Sequence, residues 1–89
     1  MFILLTLPDT EESTLDDKEF VINLYEKYGK SLWKYAYSLS KNNEVANDLV
    51  SATFLKIIEK IDIIRKVHRY KIKSYLMKGI FLIHRIILQ

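Results

Sequence analysis

The chain has 89 residues, with no cysteine, two glycines and one proline. This length allows one domain with one small core, and the lack of cysteine excludes disulfides and thiolate metal sites. Nearly half of the residues are hydrophobic, which argues against a disordered chain, and the scarcity of glycine and proline favours long helices over a turn-rich β fold.

Charge is distributed unevenly along the chain. Residues 1–20 contain six acidic residues and one lysine, whereas residues 21–89 contain thirteen lysines and arginines and five acidic residues. A basic C-terminal part attracts polyanions such as nucleic acids through long-range electrostatics and counterion release. A lysine-rich helix face that is only solvated has the same composition, so charge alone leaves both interpretations open.

The N-terminal segment, residues 1–17, is predicted to be an acidic, loosely ordered tail that precedes a helical domain over residues 18–89. Pro8 and the polar residues 10–14 disfavour a helix in the tail. The apolar run at residues 2–7 has no preceding basic segment and is too short for a signal peptide. No stretch reaches the apolar length of a transmembrane helix, so we expect a soluble, cytoplasmic protein.

The first predicted helix starts near Thr14, whose side chain can cap it, and ends at about Leu39. Gly29 lies inside this helix and marks either a kink or a close contact with a neighbouring helix. Apolar and aromatic residues recur at helical spacing and predict one broad buried stripe: Phe20, Val21, Leu24, Tyr25, Tyr28, Leu32, Trp33, Tyr35, Ala36 and Leu39.

The second predicted helix spans residues 44–61, and Asn42 or Asn43 can cap it through a side-chain oxygen. Seven apolar residues recur at helical spacing and predict its buried face: Val45, Leu49, Val50, Phe54, Ile57, Ile58 and Ile61. The opposite face is polar and is either solvated or binds a partner; it carries Asn47, Asp48, Ser51, Lys56, Glu59 and Lys60.

The apolar residues in 62–69 do not recur at a regular helical or strand spacing, so this segment is either a continuation of the second helix or an ordered loop. A third helix is predicted from Tyr70 or Lys71, with apolar residues and one glycine at helical spacing: Ile72, Tyr75, Leu76, Gly79, Ile80, Ile83, Ile86 and Ile87. Helices joined by short links can enclose one core, so the predicted fold is all-α, a small bundle of three to four helices.

Enzymatic chemistry finds little support in these residues. His68 and His84 are sixteen residues apart, and no cysteine or closely spaced carboxylate cluster accompanies them. A glycine-rich phosphate loop and a nucleophile elbow are also lacking. We therefore predict no catalytic residue, no metal site and no cofactor.

The helices resemble region 2 of bacterial sigma factors of the sigma-70 class, most closely the extracytoplasmic-function branch, over about residues 18–80. The first helix has the aromatic residues typical of that family. The second is similar to its acidic-alanine start followed by Asp-Leu-Val, Thr-Phe and an aliphatic stretch, through Glu44, Ala46, Asp48, Leu49, Val50, Thr53, Phe54 and Leu55.

This resemblance implies that the polar face of the second helix binds the clamp coiled coil of core RNA polymerase. Asp48 is the first candidate for that contact. Asn47, Ser51, Lys56 and Lys60 lie on neighbouring turns, and Ser51 and Ala52 replace the Gln and Glu usual in the family.

The resemblance also implies that the next segment binds the non-template strand of the −10 promoter element. Such a site needs cations for the phosphates and an aromatic side chain for an unstacked base. The candidate DNA-binding residues are Arg65, Lys66, His68, Arg69, Tyr70, Lys71, Lys73 and Lys78. Tyr75 and Leu76 are similar to an aromatic-leucine pair that anchors the last helix of the family, which places Tyr75 in the core.

The resemblance ends in the last helix, where Leu82 occupies the position of a promoter-contacting asparagine. The chain ends where a full sigma factor would continue into a helix-turn-helix domain, so we expect a fragment, a degenerate region 2 or half of a split sigma factor. A module that binds proteins but not DNA is therefore an alternative, as a decoy or as the partner of a second sigma subunit or an anti-sigma protein. A basic amphipathic protein on a membrane surface is a further alternative.

Overall fold

The computed structural model describes residues 15–87, which form four helices joined by short turns. The helices are α1 (Leu15–Ser40), α2 (Asn43–Glu59), α3 (Ile61–Ile64) and α4 (Arg69–Ile87). The prediction of an all-α bundle is confirmed for this part of the chain. Most of the predicted acidic tail lies outside the described residues, and its boundary with the helical domain stays a prediction.

A tight corner connects α1 to α2. Lys41 has a positive φ of 56°, and its backbone N–H donates to the Tyr37 carbonyl oxygen at 2.7 Å. Asn42 then caps α2, because its Oδ1 accepts the backbone N–H of Val45 at 3.0 Å. This hydrogen bond satisfies one of the amides that the first turn of a helix leaves unpaired.

The segment between α2 and α4 is a short helix followed by a turn. Lys60 (φ −116°, ψ 34°) departs from helical geometry, so α2 ends at Glu59 and α3 begins at Ile61. The change of direction places Ile64 in the core with 2% of its surface exposed. His68 stands just before α4, and its Nδ1 accepts the backbone N–H of Tyr70 at 3.3 Å.

The three long helices pack around one apolar core. Tyr25 of α1 meets Phe54 of α2 edge-on, with ring centroids 5.4 Å apart. Fully burying one large apolar side chain contributes about 1.5–3 kcal/mol, so this shared core is the main source of stability. The buried apolar residues are Val21, Leu24, Leu32, Ala36, Ala46, Leu49, Val50, Phe54, Ile57, Ile64, Ile72, Leu76 and Ile80.

Two residues that were predicted to be buried in α4 are exposed. Tyr75, which the sequence places in the core, is 43% exposed, and Ile86 is 70% exposed, because α1 and α2 cover only one side of α4. On the predicted buried face of the second helix, Val45, Ile58 and Ile61 are partly buried and pack against the edge of the core. The buried stripe of α4 instead runs through Ile72, Leu76 and Ile80 to His84, whose Nε2 has no hydrogen-bond partner within the described part of the chain.

Gly29 lies inside α1, next to the Tyr25 ring. α1 runs without interruption from Leu15 to Ser40. The atoms nearest to a Cβ added at Gly29 belong to the Tyr25 ring, one turn earlier in the same helix, at 3.2 Å. The glycine therefore accommodates the Tyr25 ring of its own helix.

Candidate functional site

The polar face of α2 points away from the bundle. Its apolar residues pack against α1 and α4, which leaves Asp48 and Leu55 exposed. These two residues are seven positions apart, or about two helical turns, and therefore lie on the same side of α2. Leu55 is 48% exposed, and it belongs to this surface although the periodicity of the sequence did not single it out.

Asn47 lies at one border of this face and connects α2 to α1. Its Oδ1 accepts the indole N–H of Trp33 at 2.7 Å. Trp33 in turn stacks on Tyr37, with ring centroids 5.4 Å apart and an interplanar angle of 12°. Asn47 and Ser51 thus line the open groove between α1 and α2, which has a volume of about 670 Å³.

Lys56 and Lys60 lie at the other border of the face, beside α4. The Lys56 Nζ is 3.4 Å from Glu59 Oε2, and both side chains are exposed, so this ion pair adds little to stability. Both lysines line a second groove between α2 and α4. The five predicted polymerase-binding residues therefore occupy one outward face and both of its borders, with Asp48 between them.

Arg65 is held against the start of α1. Its Nη1 is 2.9 Å from Asp17 Oδ1, and its guanidinium lies 5.2 Å from the centroid of the Phe20 ring. These contacts tie the turn after α3 to α1. Lys66, the next predicted DNA-binding residue, is exposed in the same turn.

An exposed aromatic cluster forms at the start of α4. The Tyr70 side chain is 78% exposed, and its ring lies 4.9 Å from the His68 ring and 5.4 Å from the Arg69 guanidinium. An exposed ring flanked by cationic and planar groups is suited to stacking with an unpaired base. The cluster brings three of the predicted DNA-binding residues together.

A basic stripe continues along the outer side of α4. Lys71, Lys78 and Arg85 are all exposed and seven positions apart, so they share one side of the helix. The Arg85 guanidinium lies 5.9 Å from the centroid of the exposed Phe81 ring. Arg85 and Phe81 were not among the predicted DNA-binding residues, although the heptad spacing of the cations could have indicated Arg85.

Lys73 is exposed but does not join this basic stripe. It follows Lys71 by two positions, and residues two apart on a helix do not face the same way. Seven of the eight predicted DNA-binding residues thus lie in the turn after α3, in the aromatic cluster or on the basic stripe.

Within residues 15–87, no three side chains of His, Asp or Glu are grouped so that they could hold a metal ion. None of the helices described combines the length and the hydropathy that crossing a bilayer requires.

Comparison with protein families identifies the chain. The family model of Sigma-70 region 2 matches residues 24–80, which is more than half of the sequence. The chain belongs to the sigma-70 region 2 family. A search of curated proteins and a search of solved structures each gave no significant match.

The matched range of this sigma region 2 domain takes in α2, α3 and more than half of α4. It covers Asp48, the aromatic cluster and Lys78, and it stops at Ile80. Leu82 and Arg85 lie beyond it, in the C-terminal part of α4. Membership in this family indicates a role in transcription initiation as part of a sigma factor.

Proposed function

We propose that this sigma region 2 domain binds the clamp coiled coil of core RNA polymerase through the exposed face of α2, with Asp48 as its central contact. The observation that carries the proposal is the exposure of that face inside the family match. α2 packs against two helices through its apolar residues, yet it keeps a carboxylate and an exposed leucine on its outward side. An exposed apolar side chain with polar groups around it matches the apolar core and polar rim of a protein interface.

A second contact, with −10 promoter DNA, is proposed for the outer side of α4. The basic stripe would neutralise backbone phosphates, because Lys71, Lys78 and Arg85 succeed one another every two turns. The aromatic cluster at the start of the helix would hold an unstacked base of the non-template strand on the Tyr70 ring. Stacking of one base on an aromatic side chain is worth about 1–3 kcal/mol.

Site-specific photo-cross-linking tests the polymerase contact, because the chain has no cysteine of its own. A benzophenone attached to Leu55→Cys is expected to cross-link to the clamp coiled coil when core RNA polymerase is added. The control is Asn23→Cys, an exposed position on α1. Cross-links to the clamp from both positions in equal yield, or from neither, would contradict the proposed docking face.

One observation favours a second candidate function, that of a protein-interaction module without DNA activity. Leu82 is 45% exposed and lines the groove between α2 and α4, where an asparagine would be expected to contact the promoter. Such a module would serve as a decoy or would act with a second sigma subunit or an anti-sigma protein. Run-off transcription separates the two, because a decoy binds core polymerase without yielding a promoter-dependent product.

A further inference from the structure

The groove between α2 and α4 is an apolar surface that the helices of the bundle leave open. It has a volume of about 330 Å³ and is lined by Ile57, Gly79 and Leu82 among others. A Cβ added at Gly79 would lie 3.7 Å from the Thr53 methyl group, so the absence of a side chain there leaves room on the groove floor. Tyr75, also exposed, forms part of the wall.

Three cations border this apolar floor. Lys56 and Lys60 stand on the α2 side and Lys78 on the α4 side, and all three are exposed. Among the residues that line the groove there is no acidic side chain. An occupant that matches this surface therefore combines several apolar side chains with neighbouring carboxylates.

The chain itself contains one segment with this composition. Residues 2–7 include five apolar side chains, and Asp9, Glu11 and Glu12 follow within five residues. The other cluster of acids, Asp16, Asp17 and Glu19, belongs to the first turns of α1 and is part of the bundle itself. Charge and hydropathy thus favour the N-terminal segment as the occupant of the groove.

The position of α1 makes this contact geometrically possible. The ion pair of Asp17 with Arg65 holds the start of α1 beside the end of α3, where Ile64 lines the groove. Eleven residues separate Leu15 from Leu4, and an extended chain of that length reaches about 36 Å. The longest dimension of the described structure is 39 Å, so the segment can run along the groove.

We propose that residues 2–12 dock in the α2–α4 groove, with their apolar side chains over Gly79 and Leu82 and their carboxylates near Lys56, Lys60 and Lys78. The occupant is thus part of the same chain, and its effective concentration is set by a short tether. Lys56 and Lys60 also belong to the proposed polymerase-binding surface, so a segment docked in the groove would cover part of that surface. Only this effect on polymerase binding rests on the proposed function.

Disulfide trapping in the full chain tests the docking without polymerase. The test pair is Leu4→Cys with Leu82→Cys, and the control pair is Leu4→Cys with Asn23→Cys, which is exposed and only eight residues from Leu15. A docked segment is expected to form the test disulfide about tenfold faster than the control disulfide. Leu82 is 45% exposed, and helical circular dichroism checks that both variants fold.

The same disulfide experiment also tests whether the lysines of the groove attract the segment. Replacing Lys56, Lys60 and Lys78 by glutamine in the test pair is expected to slow the disulfide at least about threefold, because the carboxylates lose their partners. Equal rates for test and control pairs would overturn the proposal, as would a test rate that the three replacements leave unchanged. Intermolecular dimers that disappear on dilution would assign the groove to a second copy and also overturn it.

Discussion

At the scale of single residues, two adjacent asparagines at the start of α2 have different roles. Asn42 is in extended conformation (φ −144°, ψ 126°) and its side chain accepts the Val45 amide, whereas Asn43 is already helical. The sequence allowed either residue to be the cap, since both have the required side chain. The choice depends on where the chain turns after Lys41, which local composition does not specify.

This difference predicts unequal effects of two otherwise identical substitutions. Asn42→Ala is expected to lower the free energy of unfolding by about 1 kcal/mol, because the amide of Val45 loses its partner. Asn43→Ala is expected to leave stability unchanged or to raise it slightly, since alanine has the higher helix propensity. Urea unfolding followed by circular dichroism measures both, and equal losses would show that the cap is misassigned.

At the scale of helices, the two glycines can be compared with each other, because each lies inside a long helix. Gly79 lies in α4 beside the open groove, where an added Cβ makes an ordinary contact, whereas a Cβ at Gly29 would press on the Tyr25 ring at 3.2 Å. That ring cannot move freely, since it packs edge-on against the buried Phe54. The same substitution therefore makes an ordinary van der Waals contact in one helix and presses on a fixed ring in the other.

Gly79→Ala is expected to raise the free energy of unfolding by about 0.5–1 kcal/mol, the gain from restricting the unfolded chain and improving helix propensity. Gly29→Ala is expected to be less stable than Gly79→Ala by about 1 kcal/mol or more, because overpacking opposes the same gain. Thermal and urea denaturation of the two variants check this order. Equal stabilisation by both would contradict the tight packing described around Gly29.

The basic stripe of α4 predicts how DNA binding responds to salt. Replacing Lys71, Lys78 and Arg85 by glutamine is expected to reduce the salt dependence of single-stranded DNA binding by about 2 in the log–log slope, at about 0.7 per phosphate contact. The matched control replaces Lys27, Lys30 and Lys34, three exposed lysines of α1. Fluorescence anisotropy across a salt series gives both slopes, and equal slopes would exclude the stripe as the DNA-binding surface.

Most helices could be predicted from periodicity, but whether an individual residue is buried or exposed depends on which helices pack against it. The spacing of Leu49, Phe54 and Ile57 was enough to predict α2 and its buried face. Tyr75 has the same kind of spacing in α4 and is exposed, because α4 is covered on one side only. Arg65 is a candidate DNA contact in the sequence, and its pairing with Asp17, 48 positions away, is not visible in any local pattern.

At the scale of the whole molecule, the candidate surfaces are arranged around a single helix pair. α2 presents Asp48 outward between a groove shared with α1 and a groove shared with α4. The basic stripe lies on the outer side of α4. Family resemblance predicted the candidate residues from sequence, but not that Asn47 and Lys56 lie on opposite borders of one face, which requires the packing of all three long helices.

Binding to purified core RNA polymerase tests the central claim most directly. Asp48→Ala is expected to weaken binding about tenfold or more, equivalent to about 1.4 kcal/mol, while helical circular dichroism stays unchanged. The charge-matched control is Asp62→Ala, which removes an exposed carboxylate from α3 and is expected to bind as the unmodified chain does. Equal affinity of Asp48→Ala and the unmodified chain would contradict docking through the outward face of α2.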